Sequence, residues 1–203
     1  KTHCWGANGD GQLGDGTRGL AAAPTAVAGD RSFDDVAVGS SHTCALGSDG
    51  SAWCWGNNEY GQLGRKRPDG GTAEFAEVLR PSVPKPGAVA GNLTFENIRT
   101  TGTITCGQTT DDEFYCWGSY NELNTYKFFD DLKEDTRPDK AISNQPASYA
   151  ISDSFICTLA DDGTHACSGY NVTGAFGNGK TAKDFVAGPV EFKTKPPLTK
   201  LYA

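Results

Sequence analysis

Apolar positions in this chain come in short strand-like runs separated by turn residues. The clearest instance is residues 42 to 64, HTCALGSDGSAWCWGNNEYGQLG. Two such runs flank Ser48-Asp49-Gly50, a strong tight-turn signal. A hairpin turning at Asp49 sets Cys44 opposite Cys54, because the two stand symmetrically about it. Directly opposed residues on antiparallel strands are close enough for a disulfide. Trp55-Gly56 follows, and then a loop that ends in Gly61-Gln62-Leu63-Gly64.

The rest of the chain is largely copies of this unit. Residues 24 to 38, PTAVAGDRSFDDVAV, supply a strand, a Gly-Asp turn and a second strand, and 86 to 100, PGAVAGNLTFENIRT, repeat them in register. Val27 falls on Val89, Phe33 on Phe95 and Val36 on Ile98. The hairpin recurs as TCGQTTDDEFYCWG, with Cys106 and Cys116, and as ICTLADDGTHACSG, with Cys157 and Cys167. In the first of these Asp112 replaces Gly50 in the turn, and in the second Ser168 replaces the tryptophan. Residues 1 to 17 match only the second half of the unit, which leaves Cys4 without a partner. Self-similarity at this spacing is the signature of a repeat architecture, and four short antiparallel strands per copy describe a β-propeller blade. The expected organisation is a single propeller segment: a partial blade at 1–17, blades at about 24–64, 86–124 and 138–177, the start of another at 189–203, and an insertion at 65–85.

Composition narrows the class. A hydrophobic content of 37% with 26 glycines and 10 prolines suits an all-β protein rich in turns, since both residues punctuate strands. The formal charge of −7 argues against a nucleic-acid surface, which needs clustered Lys and Arg. No apolar run approaches the about 20 residues of a membrane-spanning helix. There is no methionine, even at position 1, so the expectation is a processed chain or a fragment of a longer one, continuing past both ends. Six of the seven cysteines form three pairs of identical spacing, unlike the CxxC spacing of zinc sites. Regular pairing points to an oxidising compartment, hence a secreted or cell-surface location.

The pattern HTCAL-x-SDG-x-x-x-CWG-x-N-x-x-GQLG, followed by Pro and a Val-x-Gly turn, resembles the regulator of chromosome condensation repeat in the disulfide-bearing form of secreted proteins. The resemblance covers nearly the whole chain and recurs four times; the insertion at 65–85 and the shortened loop after Trp117 depart from it. It implies an all-β propeller, usually seven-bladed, of which this chain supplies about four blades. Members of that family include an activator of a small nuclear GTPase, inhibitors of β-lactamase and extracellular proteins, so the fold alone does not choose a function.

Candidate chemistry is sparse. Gly9 to Gly14 matches GxGxxG, but Gly16 and Pro24 leave little room for the helix that a dinucleotide site needs. The carboxylate pairs Asp34-Asp35, Asp111-Asp112, Asp130-Asp131 and Asp161-Asp162 read as solvated turn and strand residues, and no spacing matches a calcium loop. His3, His42 and His165 form no repeated ligand set, and His42 occupies a strand position shared with Ile104 and Phe155. No nucleophile pair is evident, so the chain reads as non-enzymatic, without cofactor or metal. Trp5, Trp55 and Trp117 are either sugar-stacking platforms or packing between blades. Asn92 and Asn171 begin sequons and are glycosylation candidates. Arg65, Lys66 and Arg67 form the one dense basic cluster, and together with Phe75 they are the candidate partner contacts, along with residues 125 to 137. The expected role is protein–protein contact or scaffolding in an extracellular assembly, with other proteins or neighbouring copies as partners. Carbohydrate binding is the alternative, and nucleotide exchange on a small GTPase is disfavoured by the disulfides and the acidic charge.

Overall fold

The computed structural model describes residues 1–65, 82–118, 139–140, 146–183, 185–194, 198 and 200–201. They form an all-β arrangement of one two-stranded and three four-stranded antiparallel sheets. The two-stranded sheet pairs β1 (His3–Gly6) with β2 (Ala21–Ala26). The first full blade is β3 (Asp35–Val38), β4 (His42–Leu46), β5 (Ala52–Gly56) and β6 (Val83–Ala88), in that spatial order. The second is β7 (Phe95–Thr100), β8 (Ile104–Thr109), β9 (Phe114–Gly118) and the two-residue β10 (Asp139–Lys140). The third is β11 (Ser148–Ile151), β12 (Phe155–Leu159), β13 (Thr164–Tyr170) and β14 (Phe185–Lys193).

The blades are cut differently from the sequence copies. Thr25 pairs with Cys4 of the preceding copy, so the linking strand at the head of each copy closes the blade before it. Val83–Ala88 likewise closes the first blade, which runs from residue 35 to 88 rather than from 24 to 64. The end of the 65–85 insertion therefore lies inside a blade strand, while 66–81 fall outside the described residues. Residues 189 to 193 complete β14 of the third blade instead of opening a new one. The physical reason is edge pairing: the strand ending in Cys-Trp-Gly leaves one edge bare, and the next extended segment covers it.

The hairpins stand as the spacing predicts. Cys44, Cys106 and Cys157 lie opposite Cys54, Cys116 and Cys167, with Cα–Cα distances of 4.1, 4.1 and 4.2 Å, and each pair is bonded. Each bridge closes a short loop and contributes about 2–3 kcal/mol by restricting the unfolded chain. Cys4 is the one free cysteine among the described residues, half-buried, with its thiol pKa raised by burial.

Successive blades are joined by a repeated latch. After Cys-Trp-Gly, or Cys-Ser-Gly in the third blade, an asparagine carbonyl accepts a backbone N–H five residues on: Leu13 to Asn8 at 3.0 Å, Leu63 to Asn58 at 3.1 Å, and Phe176 to Asn171 at 3.0 Å. This folds the loop so that one backbone carbonyl faces the next blade. The carbonyl of Gln12 accepts from Trp55 Nε1 at 2.9 Å and Thr43 Oγ1 at 2.8 Å. The carbonyl of Gln62 accepts from Trp117 Nε1 at 3.0 Å and Thr105 Oγ1 at 2.9 Å. The two indoles are fully buried, and Phe33 and Phe95 cap them with ring centroids 5.6 and 5.8 Å away. Gly14 and Gly64 have positive φ, and a Cβ on either would sit 2.6 or 2.7 Å from the indole nitrogen. Only glycine lets the loop backbone come so close.

His42 completes the junction between the first two blades. It is fully buried, and its Nε2 lies 2.9 Å from Thr105 Oγ1. That hydroxyl already donates to the Gln62 carbonyl, so His42 Nε2–H is the donor. Burial lowers the imidazole pKa to about 4, which keeps the ring neutral.

Two predictions follow from the latch and from His42. Gly64→Ala should cost about 2–4 kcal/mol in urea unfolding, from left-handed strain plus overpacking against the indole. Gly177→Ala, at the matching loop position with nothing within 4 Å of the added Cβ, should cost only about 1 kcal/mol of backbone strain. For His42, the unfolded chain binds more protons than the folded one between about pH 6.5 and about pH 4. Stability should fall as pH drops through that window, by about 3 kcal/mol in full, and His42→Ile should remove that part of the slope.

Candidate functional site

The latch consumes the repeated polar residues, so a site must lie where the repeat departs from its pattern. The largest departure is the junction of the second and third blades. Position 33/95, which supplies the capping phenylalanine elsewhere, is Pro146 in the third blade. Position 43/105, the latch threonine, is Ile156, and the latch tryptophan is Ser168. On the second blade, Gln108 stands where the first and third carry the buried Leu46 and Leu159. Losing the aromatic cap and gaining an amide leaves a polar groove beside the apolar cluster of Ile104, Phe114, Tyr149, Ile151 and Ile156 that joins the two blades.

The result is a groove of about 470 Å³ between the two blades. Its floor is a chain of amides and carbonyls. Asn97 Nδ2 donates to Gln108 Oε1 at 3.3 Å, and Gln108 Nε2 donates to the Pro146 carbonyl at 2.9 Å. Tyr149 forms one wall; its buried hydroxyl donates to the Cys106 carbonyl at 3.1 Å, and burial pushes its pKa well above the ordinary phenol value. Asn97 Oδ1 is buried with no donor on it. The exposed carboxylates of Glu96, Asp112 and Asp161 stand around the opening. Arg99 also lines it, with Nη1 donating to the Ile98 carbonyl at 2.8 Å and lying 3.9 Å from Asp35. Asp112 has φ 60°, where the other two hairpins have Gly50 and Gly163.

The residues singled out from the sequence are dispersed by the fold. Arg65 turns back onto its own blade: Nη2 donates to the carbonyls of Cys54 and Lys85, it lies over Gly87, and burial lowers its pKa. Lys66, Arg67, Phe75, Asp130-Asp131 and residues 125–137 lie outside the described residues. Trp55 and Trp117 are buried and cannot serve as sugar platforms, whereas Trp5 is 63% exposed. The loop Gly9 to Gly14 is the first latch and leads into no helix. His165 is buried and stacked on Phe192, and burial lowers its pKa. Asp162 is held far below the ordinary carboxylate range by Lys193, 2.9 Å away, and by Thr164. Among the described residues, no group of three or more His, Cys, Asp or Glu is arranged to hold a metal ion.

The two sequons part company. Asn92 is exposed in a left-handed turn, and Thr94 two residues on is exposed as well. Asn171 is buried, with its carbonyl on Phe176 N–H and its amide on the Lys180 carbonyl at 2.9 Å. The groove residues Asn97, Gln108, Tyr149 and Pro146 were not picked out from sequence. Their signal was the mismatch of Gln108 and Pro146 with the other copies.

Comparison with known proteins agrees with this architecture. A family profile described as "Regulator of chromosome condensation (RCC1) repeat" matches residues 1–46 and 49–109, and a second of the same description matches 33–62. The human E3 ubiquitin-protein ligase HERC2 is 32% identical over 121 residues, covering 57% of this chain and 2% of that protein. Human WBSCR16 superposes with a TM-score of 0.72 at 20% identity, covering 95% of this chain and 48% of that one. Yeast RCC1 (Prp20) bound to Kap60 gives 0.73 at 22%, covering 96% and 45%, and Prp20p from Saccharomyces cerevisiae, described with its binding to Gsp1p and histones, gives 0.71 at 21%, covering 96% and 46%. The chain thus spans less than half the length of these solved relatives, and at such identities they establish the fold alone. On the repeat match, this chain belongs to the regulator of chromosome condensation (RCC1) repeat family.

Proposed function

We propose that this chain is a non-catalytic, extracellular β-propeller module that binds other proteins through the loops and grooves at its blade ends. One observation carries the reading. The polar groups the repeat reuses, Asn8, Asn58, Gln12, Gln62, Thr43 and Thr105, are spent on holding blades together. What differs between copies is the polar surface at the turns and junctions, which is where a scaffold presents recognition. The bound Kap60 of yeast RCC1, and the Gsp1p and histones described for Prp20p, support protein partners as the class. Three bridged hairpins support an oxidising setting.

Crosslinking mass spectrometry on material taken from its natural source without reductant tests this. The expected result is crosslinks from blade-end loops to other polypeptides, with all three disulfides retained. Reduced cysteines would overturn the extracellular setting. Accelerated nucleotide release from a small GTPase, or selective binding on a glycan array, would overturn the function.

If the source glycosylates its secreted proteins, Asn92→Gln should abolish a glycan-dependent mobility shift and Asn171→Gln should leave it unchanged. The second change should instead lower stability by about 1–3 kcal/mol, because a buried loop N–H loses its acceptor. Glycan on Asn171 in the folded protein would contradict the latch geometry.

A further inference from the structure

We infer that Asn178 is a site of spontaneous deamidation, which turns this loop of the third blade into the aspartate form already present in the first copy. The inference stands apart from the protein-binding reading. Asparagine followed by glycine is the dipeptide most open to this reaction, because glycine places no Cβ beside the attacking nitrogen. The chain has two, Asn8-Gly9 and Asn178-Gly179. The fold treats them in opposite ways.

Asn8 is 2% exposed. Its Oδ1 accepts from Leu13 N–H at 3.0 Å, and its Nδ2 is held by the Thr17 and Gly19 carbonyls at 3.2 and 3.1 Å. An amide fixed at both ends and shut off from water neither reaches its own backbone nor hydrolyses. Asn178 is half-buried, between the exposed Gly177 and Gly179. Among the described residues no acceptor holds its Nδ2 or the Gly179 N–H. A Cβ at Gly179 would meet nothing within 4 Å, so a ring has room to form there. The contact that Asn178 does make favours the reaction. Lys180 N–H donates to Asn178 Oδ1 at 3.0 Å, which curls the side chain over the Gly179 peptide. The same donor stabilises the negative charge that gathers on Oδ1 when the amide carbon is attacked.

The reaction balances with water alone. The Gly179 nitrogen loses its proton and bonds to Asn178 Cγ. The Cγ–Nδ2 bond breaks, and ammonia leaves with that proton, which closes a cyclic imide. Water then opens the imide at Cγ to give aspartate, or at the backbone carbonyl of residue 178 to give isoaspartate. The first copy shows what aspartate does there. Counted from the loop asparagines Asn8 and Asn171, Asp15-Gly16-Thr17 falls on Asn178-Gly179-Lys180. Asp15 Oδ1 accepts from Thr17 N–H at 2.8 Å, the counterpart of the Lys180 bond. Gly16 and Gly179 both have positive φ, 90° and 73°. Asn8 and Asn171 donate to the Thr17 and Lys180 carbonyls, at 3.2 and 2.9 Å. The loop therefore takes a carboxylate without a change of shape. Isoaspartate does not fit, because it adds a methylene to the backbone two residues before the carbonyl that holds Asn171.

The test ages the chain in mildly alkaline buffer, once folded with its disulfides intact and once reduced and unfolded in urea. Peptide mapping by mass spectrometry follows both Asn-Gly sites, and an isoaspartate-specific methyltransferase marks the isoaspartyl product. The expected result is conversion of Asn178 in both samples and of Asn8 only in the unfolded one. The rate at Asn178 should rise with pH, since the attacking nitrogen must lose its proton. Gly179→Ala, whose Cβ meets no neighbour, should keep the fold and slow conversion several-fold. Asn178→Asp should melt with the parent protein, and the isoaspartyl fraction should melt lower. Folded protein that converts Asn8 as fast as Asn178, or that preserves Asn178 while the unfolded chain converts it, would overturn the proposal. So would an unchanged rate in Gly179→Ala, or an Asn178→Asp variant that melts as low as the isoaspartyl fraction.

Discussion

A single backbone carbonyl ties the blades together at each of the first two junctions. The carbonyl of Gln62 takes two hydrogen bonds from the next blade, one from an indole and one from a hydroxyl, and the carbonyl of Gln12 does the same. A carbonyl has two lone pairs, so each is fully used. The rest of the repeat serves that contact. Asparagine shapes the loop, glycine lets it touch the indole, phenylalanine caps the ring from the far side, and the disulfide fixes the hairpin that carries both donors. Thin blades with little core of their own thus gain a buried, directional joint.

That economy explains how the family carries different functions on one scaffold. The joint is made inside the stack, away from the turns and grooves, so these can change without disturbing it. The third blade takes this further: Ile156 and Ser168 replace both donors, and the copy before it lacks Gly-Gln-Leu-Gly in the loop that would receive them. The third blade therefore has neither latch donor. Strand pairing, the Cys157–Cys167 bridge and an apolar cluster of Ile104, Phe114, Tyr149, Ile151 and Ile156 remain, so the blade keeps its form with a polar groove beside that cluster.

Much of the fold was legible in the sequence, and some of the surface was not. The hairpins could be read because Cys44 and Cys54 are ten residues apart about a turn, a local fact. The blade boundaries could not, because Thr25 chooses Cys4 over the strand that follows it in the same copy, which is a matter of edges brought together in space. Arg65 looked like surface charge beside Lys66 and Arg67, yet it spends its guanidinium on two backbone carbonyls. Asn171 looked like an acceptor for sugar, yet its amide is a buried strut of the loop.

The sequence by itself determined the all-β repeat, the three bridged hairpins and the odd thiol, since period, spacing and turn chemistry act over short stretches of chain. Only the tertiary structure decided which strand closes which blade, that a tryptophan of one copy hangs on a carbonyl of the copy before it, and that Gln108 and Pro146 open a groove. Those outcomes depend on residues from different copies meeting across a junction, where one amide in place of a leucine matters only because of what lies opposite.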